Sequence, residues 1–144
     1  MRDRLRQVFD DAIAEIGTLP PERLLVGLVL SGRTHCLEHL YTKNTGYGGS
    51  YFNWIVCGGS GHSLLRQRRE ETVLYQNANL DSDSIGQSQL YIGRNGSGKE
   101  KKRPYFFLHI DVETKDRPKF TVKSYIAKWH QRQWDEYMMP PFVI

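Results

Sequence analysis

The chain has 144 residues, 39% of them apolar and 25% charged, with a formal net charge of +4 and an isoelectric point near 9.1. That length suits one domain with a single core, expected to span residues 1–144. No apolar run reaches the roughly 18 residues of a membrane-spanning helix. Cys36 and Cys57 match no zinc-ligand spacing and read as free thiols, while the charged start from Met1 to Arg6 is not a signal-peptide core, so a cytoplasmic location is expected.

In chain order, the first element is a helix. Residues 2–17 carry Leu5, Val8, Phe9, Ala12, Ile13 and Ile16 at helical spacing, with Gly17 as a stop. Thr18, Pro20 and Pro21 break the chain. Residues 22–41 read two ways: a helix with Pro21 in its first turn, or a buried strand over 24–30 ended by Ser31-Gly32 and followed by a short helix. The Gly-rich stretch 44–50 is a loop, 51–57 an apolar strand, and 58–61 a flexible turn. Strands are expected at 72–76 and 89–93, followed by a tight turn at Asn95-Gly96-Ser97-Gly98. Residues 105–115 and 119–125 pair across Asp116-Arg117-Pro118. A late helix over 126–137 is ended by Pro140-Pro141, and an apolar tail closes the chain. The expected class is α+β: one compact domain with an N-terminal helix, a mainly antiparallel sheet and a late C-terminal helix.

The most informative segment is 105–115. Phe106, Leu108, Ile110 and Val112 take one face of a strand, and His109, Asp111, Glu113 and Lys115 take the other. Two carboxylates in line with an ammonium can share a divalent metal and steady an anion, which suits phosphodiester hydrolysis. The same row also suits a solvent-facing strand whose charges pair across the hairpin with Lys119, Thr121 or Lys123.

Glu113-Thr114-Lys115 resembles the Glu-x-Lys element of the PD-(D/E)xK nuclease superfamily, and the strand, helix and tail expected after it are similar to that fold's order over residues 72–144. The resemblance implies a magnesium-dependent endonuclease or phosphodiesterase. Asp111 and Glu113 would hold the metal with a further acid, Asp83 or Asp81. Lys115 would position water or stabilise developing charge, and His109 would support that water. The family's Pro-Asp dipeptide is absent.

Two cation clusters, Arg66, Arg68, Arg69 and Lys99, Lys101, Lys102, Arg103, are of the kind that contacts phosphates whatever the base sequence. Aromatics beside cations stack on unpaired bases. An exposed Trp54, or an exposed Trp134 near Arg132, therefore favours binding; on a helix Trp129 and Trp134, five apart, lie on different sides. Nucleic acid is the expected partner. The alternative to catalysis is a non-catalytic nucleic-acid or protein-interaction module, such as one from a defence or toxin system.

Two other patterns have weaker claims. Residues 93–99 resemble a Walker A stretch, but Glu100 stands where Ser or Thr must hold magnesium and Pro104 cuts off the required helix. A hairpin turn with a basic flank is the better reading. His35-Cys36-Leu37-Glu38-His39 resembles the His-x-x-Glu-His motif of inverzincin metallopeptidases. If helical, it implies a zinc hydrolase with Glu113 as third ligand.

Overall fold

A computed structural model of the chain describes residues 2–16, 26–32, 34–43, 50–59, 65–67, 72–75, 84–95, 104–114, 118–130 and 132–144. Helix α1 (Arg2–Ile16) opens the chain. Five strands follow: β1 (Leu28–Ser31), β2 (Leu37–Thr42), β3 (Asn53–Cys57), β4 (Val73–Tyr75) and β5 (Ser84–Ile92). They form a first sheet in the order β1-β3-β2-β5-β4, with β1 parallel to β3 and the other neighbours antiparallel.

The second sheet is built from β6 (Pro104–Glu113), β7 (Lys119–His130), β8 (Gln133–Met138) and β9 (Phe142–Val143). Strand β6 takes one edge of β7 over its whole length, from Pro104 opposite Lys128 to Glu113 opposite Lys119. The other edge holds β8 and then β9, so the last strand continues the one before it past Met139-Pro140-Pro141. Proline cannot donate to a ladder, so the interruption falls where backbone donors are missing.

The fold is therefore mostly β, which overturns the α+β class and its late C-terminal helix. Residues 126–137 lie on β7 and β8, joined by a turn through Arg132 at φ 65°. Period-2 packing decides against the helix. Val122, Ser124 and Ile126 are all buried, and this row continues the alternation that residues 119–125 had already established. Residues 26–41 likewise hold β1 and β2 rather than a helix.

The two sheets pack face to face. Leu37 and Ile55 of the first meet Phe106, Val122 and Ile126 of the second, with Leu28, Leu90, Leu108, Ile110 and Phe142 around them. Gly59 permits this approach: a Cβ there would fall within the Phe106 ring. His39 also bridges the sheets, its ring stacked on Phe142 at 4.4 Å and its Nε2 at 2.9 Å from Asn53 Oδ1. Helix α1 covers part of the opposite face of the first sheet, with Phe9 edge-on to Phe52 and Trp54 at 5.0 and 6.1 Å. The layer order is helix, first sheet, second sheet. Period 2 turns alternate residues of the second sheet away from the core, and these form an open face.

Candidate nucleic-acid interface

Five aromatic rings stand on that open face. Strand β6 contributes Tyr105 and Phe107, β7 contributes Tyr125 and Trp129, and β8 contributes Trp134. Register brings them together: Phe107 opposes Tyr125, and Trp129 opposes Trp134 across the final hairpin. Phe107 stacks on Tyr125 at 4.8 Å, while Trp134 meets Tyr105 at 5.5 Å and Trp129 at 5.4 Å, both edge to face. Each geometry suits the ring quadrupole, so the rings support one another without burial.

They remain in contact with water. Phe107 is 61% exposed, Trp134 51%, Trp129 50% and Tyr105 41%. Four half-covered rings of 150–250 Å² each leave on the order of 400 Å² of apolar surface, a size that marks interaction sites. Met138, opposite Tyr125 and also exposed, extends the patch.

Farther along the same face, aromatic residues give way to charge. His109 Nε2 lies 2.9 Å from Asp111 Oδ1, and Lys123 Nζ lies 2.7 Å from Asp111 Oδ2. Lys119 Nζ is 3.9 Å from Glu113 Oε1. The Lys123 hydrogen bond holds the Asp111 carboxyl below the usual carboxylate range, with His109 adding to the effect, and Asp111 in turn raises the Lys123 ammonium. Both Asp111 oxygens thus already have cationic or donor partners. A divalent ion binding at Asp111 would have to displace them. Among the described residues, no three His, Cys, Asp or Glu side chains gather to hold a metal.

Asp81, Asp83 and Lys115, the other members of the expected nuclease set, lie outside the described residues, as do Arg68, Arg69, Lys99, Lys101, Lys102 and Arg103. Arg66 is described, and it forms a bridge with Arg94, with Arg94 N donating to Leu65 O at 2.7 Å and Gln67 N donating to Arg94 O at 2.9 Å. Two guanidinium-bearing residues are therefore paired directly across this bridge. Gly93 serves the same contact, since a Cβ there would come within 2.5 Å of Leu65 O. Its place in a phosphate loop has no support from the described part of 93–99, which continues β5 into this bridge.

The zinc motif does not assemble. His39 and Glu38 lie on strand β2, so their side chains take opposite faces, and His39 is engaged with Asn53 and Phe142. Burial lowers the His39 pKa. It also raises that of the Cys57 thiol, leaving it a poor nucleophile.

Sequence reasoning singled out Trp134 but missed Tyr105, Phe107 and Tyr125 as surface groups. The signal was present, because Tyr105 and Phe107 share the parity of His109 and Asp111. No helix among the described residues is long and apolar enough to cross a membrane. No protein-family model matches the chain, and neither does any curated protein or solved structure.

Proposed function

We propose that the protein is a non-catalytic nucleic-acid-binding module that uses the open face of the second sheet as a stacking platform for unpaired bases. The observation that carries this reading is the row of exposed, mutually supporting rings from Tyr105 to Trp134. Every base has a π-face, so such a row accepts single strands with little regard to sequence. The cations have to come from its margins. Lys99, Lys101, Lys102 and Arg103 immediately precede Pro104 in the chain, and exposed Arg132 turns the hairpin that carries Trp129 and Trp134. The nuclease reading is the weaker one, because Asp111 is already bound to Lys123 and His109.

A protein partner is the second reading, favoured by the charge on the face itself, where Lys119 and Lys123 are matched by Glu113 and Asp111 and exposed Glu136 adds a further carboxylate between Trp134 and Met138. Fluorescence anisotropy with labelled single-stranded and duplex DNA and RNA tests the proposal. Single strands are expected to bind more tightly than duplexes, with affinity falling steeply as salt rises. Absence of binding to any of the four at low salt refutes nucleic-acid recognition and leaves the protein-partner reading.

A further inference from the structure

Helix α1 is only lightly covered by the rest of the protein. From Arg4 to Ile16 no residue is buried, and Arg6, Phe9 and Ala12 alone are partly so. An isolated helix of about 15 residues is marginal in water and draws most of its stability from packing an amphipathic face. Phe9 supplies one such contact, edge-on to Phe52 and Trp54. Beside it the helix carries an apolar stripe that nothing covers. At about 100° per residue, Leu5, Val8, Ala12 and Ile16 fall within an arc of about 80°. Leu5 is 46% exposed, Val8 59% and Ile16 56%.

The charges of α1 indicate what covers this stripe. Its arginines all precede Gln7, while Asp10, Asp11 and Glu15 all follow Phe9. Arg4 and Glu15, both exposed, border the stripe on the same side, next to Val8 around the helix. We infer that the stripe is the contact between two copies of this chain, paired through antiparallel α1 helices about a twofold axis. Centred near Asp10, the pairing sets Val8 opposite Ala12, Leu5 opposite Ile16 and Arg4 opposite Glu15, each twice by symmetry. Parallel pairing would set Glu15 against Glu15 and Arg4 against Arg4, so the bordering charges select the antiparallel orientation. An anionic membrane surface, which also takes amphipathic helices, calls for a basic polar face, whereas exposed Asp11 and Glu15 lie beside this stripe. Fifteen residues make a helix about 22 Å long and about 10 Å wide, so the contact covers about 200 Å² on each copy. That is well under the roughly 800 Å² per partner of a standard interface, and the association is correspondingly weak. The pairing uses no residue of the aromatic face and is independent of what that face binds.

Sedimentation equilibrium of the full chain at low salt tests the inference, together with flotation on phosphatidylserine–phosphatidylcholine vesicles. A monomer–dimer equilibrium is expected with a dissociation constant between about 10 μM and 1 mM, without vesicle binding. Val8→Glu places a carboxylate in the middle of the stripe and is expected to abolish the dimer up to about 1 mM. Arg4→Glu and Glu15→Arg each turn two attractions into repulsions and should weaken the dimer about tenfold. The double variant Arg4→Glu/Glu15→Arg restores opposite charges and should return to within about threefold of wild type. All three positions are exposed, so folding should persist, as circular dichroism can check. The charge exchange alone carries the test if Val8→Glu fails to fold. Phe107→Ala should dimerise like wild type. A monomer at every concentration overturns the inference. So do a dimer that survives Val8→Glu, a double variant no tighter than the single ones, and a dimer lost in Phe107→Ala, which places the contact on the second sheet. Vesicle binding that Val8→Glu removes also overturns it, assigning the stripe to a lipid surface.

Discussion

Phe107→Ala separates stacking on a ligand from stacking within the protein. Phe107 is 61% exposed, and Tyr125 stacks on it at 4.8 Å. With roughly two fifths of a ring of 150–250 Å² covered, truncation uncovers about 60–100 Å². At about 25 cal/mol per Å² this amounts to about 1.5–2.5 kcal/mol of stability, measurable by urea denaturation. Losing a stacked base costs about 1–3 kcal/mol, a five- to 150-fold rise in Kd for a labelled single strand. Val112→Ala is the control, because Val112 is 53% exposed but belongs to the opposite parity of β6. It should lose stability without losing affinity. Equal Kd values for wild type, Phe107→Ala and Val112→Ala would refute the stacking platform. A stability change well under 1 kcal/mol in Phe107→Ala would refute the Phe107–Tyr125 contact itself.

Asp111→Asn removes an anion from the face and releases Lys123, so binding should tighten and the salt slope steepen by up to about one unit; a shallower slope contradicts this. Glu113→Gln should change stability by no more than about 0.5 kcal/mol, because its pairing with Lys119 is long and exposed. Wild type incubated with oligonucleotides and magnesium should leave them uncut, and cleavage that disappears in Glu113→Gln would restore the nuclease reading. Gly59→Ala places a methyl group in the Phe106 ring and should cost about 1–3 kcal/mol. The double variant with Phe106→Leu should recover part of that loss, and strictly additive effects would contradict the close packing. His39 also imposes a pH dependence. Burial lowers its folded-state pKa, so the unfolded chain binds more protons as pH drops below about 6.5. Stability is complete above that value, declines as pH falls through it, and levels off below the folded-state pKa. His39→Gln should flatten this window, whereas loss from Asp111 begins only as pH approaches the carboxylate range.

Alternation along a single strand was legible without any structure. Phe106, Leu108 and Ile110 face the core and His109, Asp111 and Glu113 face away, because successive side chains must leave a strand on opposite sides. Helix α1 was legible for the same kind of reason, its repeat being local, although Leu5, Val8, Ile13 and Ile16 of the apolar stripe stay exposed. Residues 126–137 were not. Five-residue spacing puts Trp129 and Trp134 on different sides of a helix, yet across a tight hairpin it sets them directly opposite each other. The choice depends on whether β7 finds partners on both edges, and those partners are β6 and the β8–β9 segment. The functional reading depended on tertiary structure in the same way. In one dimension Asp111 and Glu113 read equally as a metal pair or as partners of lysines across the hairpin, and cross-strand register brings Lys123 to Asp111 and Lys119 to Glu113. It also gathers rings from three strands onto one open face. Register is a property of paired strands, and no single segment contains the information that fixes it.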